Sequence, residues 1–144
     1  MTSVKKRIAA MLAAGASITG LAVVAAPSAS AAPAAAASAA ATYNGACGSG
    51  YTVVNSAAIG TSGTIFLTYS SATRDNCVVT VRNSPGAIIN MYAGIAVHGG
   101  LIKYDNGEYT TYAGPVYINA AGKCVDWIGV IGSDSGEKDN TNCG

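Results

Sequence analysis

The sequence predicts an all-β fold, a small disulfide-stapled β-sandwich or barrel of about seven to eight short antiparallel strands. Three observations predict it. Apolar and polar residues alternate with a period of two in several segments, and turn residues such as Gly, Pro, Asn and Ser separate these segments. Four cysteines follow an export signal. No segment shows the 3.6-residue period of an amphipathic helix.

The N-terminus has the three parts of a secretory signal peptide, which we predict over residues 1–31. A basic start (KKR) precedes an apolar stretch from Ile8 to Ala26, and small residues follow. Ala29 and Ala31 fit the small-x-small rule, so we predict cleavage after Ala31. An uncleaved membrane anchor is the alternative, because about twenty apolar residues can span a bilayer. The weakly hydrophobic, alanine-rich composition favours cleavage.

Signal removal changes the charge of the chain and the partners that it can attract. The whole sequence has a formal charge of +1, whereas the part after residue 31 holds five basic and seven acidic residues, a charge of −2. A nucleic-acid-binding protein needs a basic patch that neutralises several phosphates. We therefore predict no nucleic-acid partner, and no membrane contact after signal cleavage.

The exported part is predicted to hold one domain. Residues 32–42 are almost all Ala and are predicted to form a flexible lead-in. Residues 43–144 then form a single β domain of a size that is common for one hydrophobic core.

The cysteines are Cys47, Cys77, Cys124 and Cys143. An even number in an exported chain predicts disulfides, and the wide gaps between them argue against the C-x₂₋₄-C clusters of zinc sites. Four cysteines allow three pairings, and the sequence does not choose among them. We predict the two short closures, Cys47 with Cys77 and Cys124 with Cys143.

The predicted strands follow from short β-branched and aromatic runs between turn signals. Asn106-Gly107, flanked by Tyr104 and Tyr109, is the preferred pair for a type I′ turn and predicts a hairpin there. The polar tail, residues 133–144, is predicted to be a solvated loop closed by Cys143. In chain order the strands are predicted at 51–59, 64–70, 77–83, 87–97, on either side of the 106–107 turn, 115–120 and 124–132.

Candidate catalytic and metal-binding groups are sparse. His98 is the sole histidine, and no G-x-S-x-G or similar context marks a nucleophile for it. Asp105 and Glu108 could act as a carboxylate pair, but they flank the predicted turn, where acidic residues serve solubility. The acidic tail lacks the D-x-D-x-D-G spacing of a calcium loop. We predict no catalytic residue, no cofactor and no metal.

Tyrosine is the one side chain in surplus. Rings with a polar edge suit carbohydrate and protein contacts, although β-sheets favour Tyr in any case. Tyr104, Tyr109, Tyr112 and Trp127 are the candidates for a surface contact. For Trp127 a second prediction stands beside this one. It shares a side of its strand with Val125, which indicates a core position near a disulfide. The eight tyrosines are Tyr43, Tyr51, Tyr69, Tyr92, Tyr104, Tyr109, Tyr112 and Tyr117.

Several segments together resemble a known family. These are "CGSGYTVVNSAAIGTSGTIFLTYS", "NCVVTVRN", "YTTYAGPVYINAAGKCVDW" and the closing "NCG". They are similar to the spore-associated protein A family, small secreted proteins of streptomycetes and related actinobacteria. The similarity covers residues 43–144 and includes all four cysteines. It implies a non-enzymatic protein of the spore or aerial-hypha surface, and it supplies no catalytic or binding residues.

Three functions follow as hypotheses. The first is a secreted protein associated with the spore or cell surface, where a polymer or protein of the wall or spore surface would be its partner. The second is a cell-wall or glycan-binding module that uses Tyr and Trp rings. The third is a small secreted hydrolase inhibitor, for which an exposed loop at 98–107 or 133–142 would serve.

Overall fold

A computed structural model describes residues 39–144, so the predicted signal peptide and residues 32–38 lie outside the described part. This part consists of eight β-strands and contains no helix, which confirms the all-β prediction. The strands are β1 (Thr52–Ile59), β2 (Gly63–Ser70), β3 (Asp75–Arg82), β4 (Ile89–Val97), β5 (Lys103–Tyr109), β6 (Tyr112–Asn119), β7 (Val125–Ile131) and β8 (Asp134–Thr141).

The strands form two four-stranded antiparallel sheets that pack face to face as a sandwich rather than a closed barrel. The first sheet has the order β1-β2-β3-β6, and the second has the order β5-β4-β7-β8. At one side of the sandwich β6 lies against β4 and β5, and at the other side β1 lies against β8. Each sheet therefore has one inner face in the core and one outer face.

The core lies between the sheets and follows the period-two alternation of the sequence. In β7 the residues Val125, Trp127, Gly129 and Ile131 are buried, while the alternate residues Asp126, Ile128 and Val130 are only partly buried. Thr80 of the first sheet donates a hydrogen bond to the Tyr92 carbonyl of the second, at 2.8 Å. In the described part every buried side-chain polar atom has a hydrogen-bond partner. The core is thus polar only where a bond is made.

The prediction of a hairpin turn at Asn106-Gly107 is wrong. Strand β5 runs straight through both residues, and they pair with Tyr92 and Met91 of β4. The chain turns after Tyr109 instead, and the next strand joins the other sheet. Gly107 serves a packing purpose, because a Cβ there would lie 3.0 Å from the ring of Tyr109.

The prediction of a solvated loop after residue 132 is also wrong, because β8 pairs with β7 along its length. Its composition is polar because it is an edge strand with much of its surface exposed. Gly136 lets this edge pack closely, since a Cβ there would collide with the carbonyl oxygen of Ala58 in β1. Lys138 also reaches across to Asn55 of β1.

The predicted disulfide pairing is confirmed as Cys47–Cys77 and Cys124–Cys143. The first disulfide is buried, whereas Cys143 of the second is exposed. The two bonds therefore secure different places. One fixes the segment before β1 to β3, and the other fixes the C-terminus to the start of β7.

Candidate binding face

The four residues predicted to make a surface contact do not lie together. Tyr104 is 61% exposed on the outer face of the second sheet, and Tyr112 is 39% exposed at the start of β6 in the first sheet. Tyr109 is half-buried and packs against the core. Trp127 is 1% exposed. A single surface made of these four side chains is therefore absent.

Trp127 occupies the core position that its shared side with Val125 predicted. Its Nε1 donates a hydrogen bond to Thr141 Oγ1 at 2.8 Å, which satisfies the only polar atom of the indole. The Lys138 ammonium lies 5.9 Å from the ring centroid. Trp127 follows Cys124 of the second disulfide by three residues. The disulfide and the hydrogen bond from the indole to Thr141 therefore both connect β7 to the segment that contains β8.

Tyr109 and Asp105 join the two sheets where β5 meets β6. The Tyr109 hydroxyl donates to Asp105 Oδ1 at 2.7 Å, and the Gly114 N–H of β6 donates to Asp105 Oδ2 at 2.7 Å. The bond to the carboxylate, and then burial, raise the pKa of Tyr109. Asp105, considered as a catalytic carboxylate from sequence, thus satisfies a backbone N–H where the β3–β6 ladder shifts register.

The outer face of the first sheet is covered by residues 39–51, which we call the N-terminal cover. Phe66, Val79 and Val81 form a second buried cluster on this face, and Ala41, Tyr43 and Ala46 of the cover pack against them. The Tyr43 and Phe66 rings are tilted, with centroids 5.8 Å apart. The cover therefore removes from water an apolar surface that the sheet would otherwise expose.

Polar bonds hold the N-terminal cover at both ends. At one end the Ala41 N–H donates to Asn83 Oδ1 at 2.8 Å. At the other, the Cys47 N–H donates to the Tyr43 hydroxyl at 3.1 Å, and the Tyr117 hydroxyl donates to the Cys47 carbonyl at 3.2 Å. The end of the predicted lead-in therefore already contacts the domain at Ala41.

The outer face of the second sheet, which we call the open face, has no such cover among residues 39–144. Two rows of neighbouring outward side chains cross this face, each with one residue from β5, β4, β7 and β8 in that order. The rows are Asn106–Tyr92–Val130–Ser135 and Tyr104–Gly94–Ile128–Glu137. Four of these residues and Ile102 of the β4–β5 loop form a continuous surface that we call the tyrosine platform: Tyr92, Tyr104, Ile102, Ile128 and Val130.

The tyrosine platform depends on a glycine at its centre. The Tyr92 ring and the Ile102 side chain occupy the space above Gly94. A Cβ at this position would lie 2.6 Å from Tyr92 Cε1 and 2.8 Å from Ile102 Cδ1. The rings of Tyr92 and Tyr104 stack with centroids 5.3 Å apart and planes 18° apart. Burial, and then the neighbouring Tyr104, raise the pKa of Tyr92. The Tyr92 phenol is thus neutral at ordinary pH.

Two amides border the tyrosine platform. Asn90 Nδ2 donates to Asn106 Oδ1 at 3.1 Å. Within residues 39–144 this leaves the side-chain N–H groups of Asn106 and the side-chain oxygen Oδ1 of Asn90 available to a ligand. With Tyr92, Ile102, Ile128 and Val130 they line a shallow depression of about 400 Å³, and Tyr104 stacks on Tyr92 beside it. The adjoining loop adds Leu101, which is 94% exposed. The surface is therefore apolar at its centre and able to form hydrogen bonds at its border.

The charges on the open face are all acidic. Glu108 lies opposite Asn90, and Glu137 lies opposite Ile128. Among the described residues neither glutamate takes part in an ion pair. The two lysines of this sheet, Lys103 and Lys138, alternate to the other side of their strands, opposite the inward-facing Ile95 and Trp127. The open face is therefore a poor site for an anionic ligand.

His98 and Asp126 meet at the end of the open face and hold the β4–β5 loop. His98 Nδ1 lies 2.7 Å from Asp126 Oδ1, and the backbone N–H groups of Asn140 and Gly99 donate to the same carboxylate at 2.8 and 3.3 Å. Burial of this carboxyl acts to raise its pKa, but these hydrogen bonds outweigh burial, and the pKa of Asp126 is lowered. The pair fixes the loop that carries Ile102.

Other kinds of site can be checked within the same part of the chain. Over residues 39–144 no three His, Cys, Asp or Glu side chains cluster as metal ligands would. In that range no helix is long and apolar enough to cross a membrane.

The sequence did not single out Tyr92 and Ile102. Tyr92 shares its strand face with Asn90 and Gly94, a period-two signal, but its contact with Tyr104 depends on strand pairing.

Comparison with known proteins identifies one relative. The chain is 49% identical over 138 residues to "Spore-associated protein A" of Streptomyces coelicolor, and the alignment covers 93% of this chain and 90% of the relative. No protein-family model matches the chain, and no solved structure matches it. The identity and the coverage confirm the resemblance seen in the cysteine-containing segments, and the chain belongs to the spore-associated protein A family.

Proposed function

We propose that the protein is secreted, has no enzymatic activity, and is retained on the surface of spores or aerial hyphae by binding a glycan with the tyrosine platform. The observation that carries the proposal is the difference between the two outer faces. The first sheet buries Phe66, Val79 and Val81 under the N-terminal cover and leaves Tyr112 and Tyr117 partly exposed on its edge strand β6. The second sheet presents Tyr104 and Ile102 to solvent, with the partly buried Tyr92 stacked on Tyr104.

The location rests on three facts that agree. The name of the Streptomyces coelicolor relative associates that protein with spores. The first residues of this chain have the pattern of a secretory signal peptide. Both disulfides belong to the described domain, and disulfides persist in oxidising, extracytoplasmic surroundings.

The chemistry of the tyrosine platform suits a sugar. One face of a pyranose ring is lined by C–H groups and can lie on an aromatic ring, while the hydroxyls at its edge need hydrogen-bond partners. Tyr104 supplies an exposed ring, and the Asn90 and Asn106 amides supply donors and acceptors beside it. Shallow, preformed sites of this kind need little reordering of the protein on binding.

The non-enzymatic role is supported by the tasks that the candidate catalytic groups already perform. His98 and Asp126 bind each other and the backbone of adjoining loops. Asp105 accepts from Tyr109 and Gly114. These bonds hold His98, Asp126 and Asp105 in structural roles. Asp105 and Glu108 do line one depression, but both oxygens of the Asp105 carboxylate already accept hydrogen bonds from the protein.

Co-sedimentation with isolated spore envelopes, peptidoglycan and chitin tests the proposal. The oxidised protein should bind at least one polysaccharide saturably, and Tyr104→Ala should weaken binding at least about ten-fold, the effect of losing an aromatic contact at a binding centre. Tyr112→Ala is the matched control, because it removes another exposed tyrosine from the first sheet. It should bind as the unaltered protein does.

Two results would contradict the proposal. Equal weakening by both substitutions would mean that the tyrosine platform is not the binding surface. Binding to whole envelopes that disappears after their proteins are digested, with no binding to either polysaccharide, would show a protein partner and overturn the glycan assignment.

A further inference from the structure

We propose that the glycan is a hexosamine polymer with free amino groups, and that Glu108 and Glu137 select it over neutral and anionic polysaccharides. This inference rests on the proposed function, since it assigns a ligand class to the same surface. It follows from the position of the two carboxylates at opposite corners of the open face.

The two glutamates lie on either side of the tyrosine platform. Glu108 is on β5 opposite Asn90, and Glu137 is on β8 opposite Ile128. Directly opposite residues on antiparallel strands have Cβ atoms only about 5 Å apart. Each carboxylate therefore borders a residue that lines the depression, and both side chains are on exposed positions of edge strands.

The separation of the carboxylates indicates an extended ligand. Three strand spacings of about 4.8 Å separate β5 from β8, and the two glutamates are offset along the strands by about four residues of 3.3 Å each. The diagonal between them is on the order of 20 Å. A polymer of several sugar residues can cross this distance, whereas a monosaccharide cannot contact both carboxylates.

Charge decides which extended polymer fits. The outward rows of the open face contain Glu108, Glu137 and Asp126 but no Lys or Arg among the described residues, so a phosphate- or uronate-bearing polymer would be repelled. A second copy of this chain would bring its own carboxylates to the contact. Ammonium groups along a hexosamine chain would instead pair with Glu108 and Glu137, while its rings lie on Tyr104 and Tyr92.

The inference is tested with tetrasaccharides of glucosamine and of N-acetylglucosamine, titrated into the oxidised protein by calorimetry at low salt. The amino form should bind more tightly, and the preference should fall as salt is raised. Glu108→Gln and Glu137→Gln should each weaken binding of the amino form about two- to five-fold, because exposed ion pairs are individually weak. Neither should change binding of the acetylated form.

Asp75→Asn is the matched control, because it removes one negative charge from the first sheet, where Asp75 binds the Asn119 amide. It should leave the preference unchanged. Equal affinity for the two tetrasaccharides, or a preference that both Glu→Gln variants keep, would overturn the selection by charge while binding through Tyr104 stands. If neither tetrasaccharide binds and Tyr104→Ala has no effect on polymer binding, the proposed function fails as well.

Discussion

The two outer faces of the sandwich carry similar kinds of side chain, but one face is covered by the chain and the other is exposed to solvent. On the first sheet, Phe66 and its valine neighbours lie beneath the N-terminal cover, which a buried disulfide fixes in place. On the second sheet, Tyr104 and Ile102 lie open. Burial makes the first set a source of stability, whereas exposure leaves the second set free to bind. The same chemistry thus serves folding on one face and recognition on the other.

Of the changes that test this comparison, removal of the disulfide of the N-terminal cover should lower the free energy of unfolding most. Replacing Cys47 and Cys77 together by Ser should lower the free energy of unfolding by about 4 kcal/mol, since the bond closes a loop of 30 residues and fixes the cover over the apolar cluster. Denaturant titration measures the loss. Replacing Cys124 and Cys143 together should cost less, because Cys143 is exposed. Equal losses with no new apolar dye binding would contradict the role of the cover.

Truncating one ring on each face compares the faces directly. Phe66→Ala should lower the free energy of unfolding by about 3 kcal/mol, because it leaves a cavity under the cover. Tyr104→Ala should change it by less than about 1 kcal/mol, because the ring is mostly exposed. Thermal and denaturant unfolding check both. Similar losses from the two substitutions would mean that the open face also holds the fold together.

The Asp126 carboxylate, at the end of the open face, makes the free energy of unfolding depend on pH. Its folded-state pKa is lowered, so its contribution to stability is fully present above its ordinary value of about 4 and is lost as pH falls through the lowered pKa. Asp126→Asn should cost about 1–2 kcal/mol at neutral pH, mostly through the two backbone N–H bonds, because solvent screens the partly exposed His98.

Unfolding of both proteins across the acid range measures this effect. The difference between them should shrink toward zero as pH falls. A difference that stays constant down to strongly acid pH would contradict the assignment. His98→Ala is the control and should cost less than Asp126→Asn, since it leaves both backbone bonds in place.

The smallest expected effect lies at the centre of the tyrosine platform. Gly94→Ala places a Cβ against the ends of the Tyr92 and Ile102 side chains, which can move, so stability should change by less than about 1 kcal/mol. Glycan affinity should fall several-fold, because Tyr92 can no longer lie flat beside Tyr104. Calorimetry measures it, and unchanged affinity would show that the position of Tyr92 is irrelevant to binding.

Most of the fold was predictable because its signals are local. Alternation located β1 to β4, β6 and β7 to within a few residues. The preferred pairing of the two short closures matches both disulfides, although the sequence alone does not choose among the three pairings. Asn106-Gly107 misled because the same pair that suits a turn also fits a strand when a neighbouring Tyr109 needs the space of a missing Cβ. Strand β8 was missed because edge strands are polar and resemble loops.

The candidate site was less predictable, since it depends on which strands become neighbours. Tyr104 was singled out from the sequence, but its stacking partner Tyr92 lies twelve residues earlier on the paired strand β4. Tyr109 and Trp127 were grouped with it as aromatics, yet both point inward. Which outer face is exposed also depends on the N-terminal cover. Its path over β2 and β3 is set by tertiary contacts, which local sequence patterns do not reveal.

The central claim is that the open face, and not the covered face, binds the glycan. The most direct test is to map amide chemical-shift changes of the isotope-labelled, oxidised protein on addition of a glucosamine tetrasaccharide. The account predicts changes confined to the outward rows of β5, β4, β7 and β8, centred on Tyr104 and Tyr92. Changes centred on the N-terminal cover and Tyr112 would contradict it, and so would the absence of changes with both the glucosamine and the N-acetylglucosamine tetrasaccharide.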